Sequence, residues 1–301
     1  MTIITRTVST RPPRKILPAK TGTPTVAPAK RQWSILVWLA YFWIGLVVVL
    51  AVLAPVLPIA AIDVIVGSAR QPPQFGPIDT LLGTDQVGRS LLSRLIYGAR
   101  VSLVVGAVSA AAGVTLGTAL GLIAGYFRRG TDWAITLIAD VLLSFPTLVL
   151  LLALTAILSS GVPTLLVGLA LTSTPTFMRL ARANTMAWAS RDFVRAARSL
   201  GASNSRILLR EILPNVIPTI AAYIPLVIAA LIVAEGSLSF LGLGIPPPTP
   251  SWGGMINTGA AELRRNPYMI FVPATVLFLT VFALNQAGEH LRQRFDRTMQ
   301  D

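Results

Sequence analysis

The chain contains no cysteine and a single histidine in 301 residues. The first absence excludes a disulfide framework, a thiolate metal site and a cysteine nucleophile. The second removes most zinc sites and the usual general base. Charge is scarce as well: 12% of residues are charged, about half the share of an average soluble domain. No G-x-x-x-x-G-K-(S/T) run occurs, so the chain has no phosphate-cradling loop of its own. No carboxylate pair, histidine cluster or nucleophile–base constellation appears either. These absences argue against an enzyme acting alone, and nothing points to a cofactor or metal held by this chain.

What is abundant is apolar sequence, 53% of residues, with a mean hydropathy of +0.69. It comes in long blocks with the charges between them. Ser34–Leu57, Val101–Phe127, Ile212–Ala234 and Asn266–Gly288 hold no charge. Trp133–Met178 holds one, Asp140, and is punctuated by Ser159-Ser160-Gly161-Val162-Pro163, which reads as a tight turn between two helices. A crossing needs about 20 apolar residues. The pattern therefore predicts an all-α polytopic membrane protein with six transmembrane helices. The uncharged stretch 236–261 is read as a loop, because Pro246, Pro247 and Pro248 stop a helix there.

Basic residues set the orientation. With the N-terminus inside, segments 1–33, 128–132, 179–211 and 289–301 carry 19 Lys and Arg, and the outer segments 58–100 and 235–265 carry 6. Both termini are expected in the cytoplasm of a plasma (inner) membrane. The net charge of +13 is then explained by loops facing anionic lipid, without nucleic acid. The chain divides into a basic, disordered tail (1–32), a first helix with an outer loop and an interfacial helix (33–100), a five-helix core (101–288) and a C-terminal tail (289–301). Within the core, 185–213 forms a cytoplasmic loop.

Residues 191–215 are the most specific stretch. They read as a short helix, a break and a second short helix. Asp192 can cap the first and Gly201 can end it in a left-handed conformation. Ser203 can cap the second, and Pro214 stops it before the fifth span. Ala196 and Ala197 leave a smooth surface suited to a groove on a cytoplasmic partner. The alternative is an amphipathic loop on the membrane surface.

The segment resembles the EAA loop of permease subunits of type I ABC importers: Glu-Ala-Ala, three residues, Gly, nine residues, Ile-x-Leu-Pro. Ala196, Ala197, Gly201, Leu213 and Pro214 match at that spacing. Arg195 replaces the Glu, and Glu211 stands where Ile is usual. Two outer segments are similar to those of dipeptide and oligopeptide permeases. One is Gly83-Thr84-Asp85-Gln86-Val87-Gly88-Arg89-Ser90, with Ser90 where Asp is common. The other is Leu238-Ser239-Phe240-Leu241-Gly242-Leu243-Gly244 with the following Pro-rich run to Trp252-Gly253. The resemblance runs from about residue 33 to about 297 and fits the C-type subunit.

The resemblance implies a set of partners: a second homologous permease in a heterodimer, two ABC ATPase subunits and an extracytoplasmic substrate-binding protein. The ATPases would bind ATP and Mg and dock at the loop through Asp192, Arg195, Ala196, Ala197, Gly201, Ala202, Leu213 and Pro214. It implies peptide cargo, with nickel, glutathione, haem or sugar as alternatives. An ion-coupled transporter or a membrane scaffold is the reading from outside the family.

The remaining candidates come from the residues. Leu91, Leu92, Leu95 and Ile96 recur at helical spacing, so 89–98 can lie flat at the interface with Arg89, Arg94 and Arg100 wet. Asp85, Arg89, Arg94 and Trp252 are candidate outer-surface residues, with Trp252 an interfacial anchor. The loop after residue 240 is a candidate outer gate. Gly113, Gly117, Gly121 and Gly125 form one small-residue face for close helix contact, within the subunit or between subunits. Polar groups inside a span are candidates by default. Asp140 is expected to pair with an Arg or cap another helix, with contact to a substrate amine as the alternative. Glu235 is placed near the outer face, where it can meet water. His290 is read as solvated.

Overall fold

The structure is a computed structural model that describes residues 35–298, with side chains through residue 295. The basic tail and the reading of it as disordered lie outside the described residues. The chain is built from α1 (Ile35–Leu53), α2 (Leu91–Phe127), α3 (Arg129–Ser144), α4 (Thr147–Leu158), α5 (Val162–Ala189), α6 (Asp192–Ser199), α7 (Asn204–Arg206), α8 (Leu213–Phe240), α9 (Trp252–Ala260) and α10 (Tyr268–Thr298). Two isolated β-bridges are the only strand-like pairings among the described residues.

Among the described residues, four helical stretches are long and apolar enough to cross a membrane: α1, α2, Asn204–Phe240 and Tyr268–Phe295. The pair α3 and α4 makes a fifth if its 87° bend is counted within one span. The bend sits at Phe145-Pro146, a break not foreseen in the 133–178 run. Proline pushes the residue before it out of the α region, and Phe145 is extended at φ −87°, ψ 127°. α5 has 28 residues, about 42 Å at ~1.5 Å per residue, but is too polar to meet the same test.

α2 and α5 run parallel and pack through the glycine face. A Cβ on Gly113 would lie 1.9 Å from Ser173 Oγ, and one on Gly117 2.5 Å from the Thr174 carbonyl oxygen. One on Gly121 would lie 2.5 Å from the Met178 carbonyl, and one on Gly125 2.7 Å from that of Arg182. No larger residue fits four successive turns of that contact. The four glycines thus form a seam within the subunit.

Two ends can be distinguished. At the cap end, the segments 54–90 and 241–267 cover the start of α2 and the end of α8. At the loop end lie the 128–129 turn, α6 and α7. The start of α1 and the end of α10 also come together there, where the Tyr41 hydroxyl lies 3.1 Å from His290 Nδ1 and the two rings meet edge to face. His290 is therefore partnered.

Pro214 does not stop a helix. Asn204 to Phe240 is a single helical rod of 37 residues, and its Ile207–Ile212 stretch has π-helical bonding. Proline lacks an N–H and crowds the preceding turn. Here it falls in the first turn of α8, directly after the widened π turn, where the rod absorbs both defects.

Candidate functional site: the coupling loop and the cap

At the loop end, α6 projects from the body on one anchor. Val194 is buried, as are Ile207 and Ile212 beneath it. Ala197 and Ala202 pack partly against the same cluster. Ala196 faces out, beside Phe193 at 41% and Leu200 at 88% exposure. Neither of these two larger apolar residues was singled out from the sequence. Their i, i+7 spacing across a short helix and the residue that closes it was the available signal.

The turn after α6 is a closed Schellman motif. Ala202 N–H donates to the Ala197 carbonyl (3.1 Å) and Gly201 N–H to that of Arg198 (3.0 Å). Gly201 has φ +82° with open space around it, so its backbone angle rather than crowding requires glycine. Ser203 caps α7 by accepting from Arg206 N–H. Asp192 does not cap α6. Arg191 holds the cap position without a side-chain bond, and Asp192, one residue inside the helix, accepts from Arg195 instead. That hydrogen bond holds the Asp192 carboxyl below its ordinary value. Arg195, which replaces the family's Glu, is thus engaged within α6. Leu213 and Pro214 begin α8, Leu213 partly buried and Pro214 exposed.

Aromatic contacts seat the loop on two helix ends. Arg198 lies over the Tyr126 ring at 5.4 Å, and the Tyr126 hydroxyl donates to Asn204 Oδ1 (2.8 Å). Arg191 lies over Trp188 at 5.4 Å. The loop is therefore tied to the ends of α2 and α5 and to the start of the 204–240 rod.

At the cap end, the charges are interior. Asp85 is 4% exposed and Arg94 9%. Asp85 Oδ1 accepts from Val87 and Arg89 N–H (2.8 and 3.0 Å), and Oδ2 from Arg89 Nε (2.7 Å). Arg94 Nε lies 3.5 Å from the same oxygen. Arg94 Nη1 reaches the carbonyls of Ile62 (3.1 Å) and Pro248 (3.4 Å). A wet Arg94 on a flat interfacial helix is thus overturned. Residues 91–98 are the opening turns of α2, and Leu91, Leu95 and Ile96 are buried beneath the cap segments. Ser90 caps α2 by accepting from Ser93 N–H (3.2 Å), a role that Asp performs equally well.

Trp252 is also interior, 0% exposed, with Nε1 donating to the Leu95 carbonyl at 3.1 Å. It anchors α9 to α2 and not to an interface. Glu235 does not meet water. α8 continues past it to Phe240 and leaves it fully buried. Its carboxylate accepts from Ser102 Oγ (3.0 Å) and Ser239 Oγ (2.7 Å). Those two serines were the unrecognised partners of this group, one on α2 and one a turn further along α8. At the surface of the cap, Arg70 Nε bonds Glu262 Oε1 at 2.8 Å and holds that carboxyl below its ordinary value.

Between the ends, Asp140 pairs with Arg179 across α3 and α5. Asp132 pairs with Arg182 nearer the loop end, and Arg182 donates to both carboxylate oxygens.

Residues 117–299 match the family described as "Binding-protein-dependent transport system inner membrane component". The chain belongs to this family. The glutathione transport system permease protein GsiD of Pectobacterium atrosepticum is 40% identical over 215 residues, 71% of each chain. GsiD of Escherichia coli O6:K15:H31 is 42% identical over 214 residues, again 71% of each. Among solved structures, an inward-facing MetNI methionine ABC transporter chain is similar with a TM-score of 0.56 at 17% identity, over 68% of this chain and 97% of that one. A chain of an amino acid ABC transporter crystallised with histidines gives 0.53 at 16%, over 67% and 94%. These two structures bear on the fold. The chain is thus a multi-pass inner-membrane permease subunit of a peptide-type ABC importer. Such a subunit is a membrane component that works with ATPase and substrate-binding partners.

Proposed function

We propose that this chain forms half of a solute path, paired as a heterodimer with a second, homologous permease. Two ATPase subunits, which bind ATP and Mg on their own chains, dock on α6. A binding protein delivers solute at the cap end, and both termini lie in the cytoplasm. The observation that carries this reading is α6 with its closing turn, where Phe193 and Leu200 are exposed, at the root of a rod that runs unbroken to the cap. Exposed apolar groups beside a fixed turn make a docking surface. Closure of the ATPases would move that rod as a lever, and a shift between inward- and outward-open states would follow. The 241–251 segment, which contacts Arg94 through Pro248, serves as part of the outer gate.

The proposed cargo is a short peptide. Relatives 40–42% identical are named for glutathione, a tripeptide, so that solute falls within the same class. The test is to purify the chain from native membranes in mild detergent and identify what comes with it. A second permease, P-loop ATPases and an exported binding protein are expected, and the solute held by that binding protein names the cargo. Recovery of the chain alone, even after crosslinking at residues 191–211, would overturn the docking reading and restore an ion-coupled transporter or a membrane scaffold.

A further inference from the structure

α5 is long enough to cross the membrane but is more polar than α1, α2, α8 and α10. Some of that polarity is buried within the subunit, at Ser173, Thr174 and Thr185, and Thr176 and Arg179 carry more of it to the surface. Other sides of α5 are closed by the glycines of α2, by α3 and α4, and by α8. Along the remaining side, Thr176, Arg179, Ala183 and Ala187 are exposed. They recur every three or four residues and so share one face. The outward faces of α1 and α10 are different: Phe42, Val49 and Val52 on one, Phe271 and Phe278 on the other. Those are surfaces for hydrocarbon, and the α5 face is not.

The two ion pairs between α3 and α5 sharpen the contrast. Asp132–Arg182 is the more enclosed, at 18% and 32% side-chain exposure, and ties the helices together. Asp140–Arg179 is open, at 52% and 54%. The structure moves Arg179 from the cytoplasmic segment 179–211, drawn from the charge count, into the body of α5, about 15 Å from its end at Ala189 and about 25 Å from its start at Val162. Ionised groups at such depth face a bundle interior or a water-filled cavity, because facing lipid is costly. A tie already exists at Asp132, so the packing of α3 on α5 does not depend on the open pair.

We infer that the α5 face from Thr176 to Ala187, together with Asp140, lines the water-filled solute path. There Arg179 and Asp140 offer a cation and an anion to a zwitterionic solute. The inference rests on the transport reading above and adds the residues that line the path. Guanidinium and carboxylate groups match the carboxylate and ammonium ends of a short peptide.

The cysteine-free chain makes a direct test possible. Thr176→Cys and Ala183→Cys are placed singly in the full complex in proteoliposomes, with Phe278→Cys on α10 as the lipid-facing control. Charged, membrane-impermeant methanethiosulfonates are then applied. Cysteines 176 and 183 are expected to react at least tenfold faster than 278. In the Thr176→Cys background, Arg179→Gln is expected to lower the anionic-to-cationic reagent rate ratio at least threefold. Rates at 176 and 183 no greater than at 278 would overturn the inference. So would an efficient crosslink from either position to the second permease, or an unchanged reagent ratio. Normal ATPase coupling with no labelling would sink this inference alone. Fast labelling without ATPase partners would instead sink the importer reading.

Discussion

The two ends of the 204–240 rod are built on opposite plans. At the loop end nearly every side chain of α6 is exposed, and order comes from short-range backbone bonds around Gly201. At the cap end charged and aromatic groups are interior. Asp85, Arg94, Trp252 and Glu235 are joined by bonds that cross as many as 157 positions of sequence. The difference teaches which end is finished within one chain. The cap satisfies its own polar groups. The loop leaves apolar surface with no covering inside the subunit, as a surface shaped for another protein does.

The comparison is broken most strongly at the cap. Asp85→Ala leaves Arg94 buried without its counter-charge, and Trp252→Ala empties a filled core site. Each is expected to cost about 3–5 kcal/mol, read as a large fall in melting temperature and membrane yield. Gly121→Leu drives a side chain into the Met178 backbone. It is expected to cost at least about 1–3 kcal/mol by overpacking, with an intact cap by proteolysis. At the loop end the effects separate. Gly201→Pro, Leu200→Asp or a bulky residue at Ala197 is expected to abolish coupled ATPase activity while the chain still inserts into the membrane. Normal coupling in all three would remove the distinction between the ends.

The smallest effect expected is at Asp192. Its carboxyl lies below its ordinary value because Arg195 donates to it. Its contribution is therefore present above the ordinary carboxylate pKa and is lost as pH falls through the depressed one. Both side chains are exposed, so solvent screens the pair. Melting curves of the parent and Asp192→Asn are expected to differ little at neutral pH and to coincide at acid pH. A clear gap at neutral pH would mean that the pair is not merely a surface contact.

The sequence made the apolar elements readable because their signal is local. The run 34–57 contains α1, and 266–288 begins two residues from the start of α10. The glycine spacing marked the α2 seam, and the Gly201 and Ser203 signals marked the loop turns. What was not readable depends on contacts distant in sequence. Arg94 looks wet until Asp85 and Pro248 are placed beside it. Trp252 looks like an anchor until α2 is seen to cover it. Glu235 looks terminal because its neighbours thin out in hydropathy, yet α8 continues past it. Phe145-Pro146 was hidden in a continuous apolar run, where hydropathy carries no information about direction. Pro214 misled in the opposite sense, because the π turn before it accommodates a residue that usually ends a helix.

That π turn fixes an angle as well as a path. A π turn spends one more residue than an α turn on the same advance, and one residue of helix corresponds to a rotation of about 100°. The compass bearing of α6 relative to the α8 face that packs on α2 and α10 is therefore set between Ile207 and Ile212. Removing exposed Leu209 would leave the composition of both ends almost unchanged. An ordinary α turn would then cover the same advance and the docking face would keep its bearing, whereas the same deletion outside the π turn would swing it by about 100°.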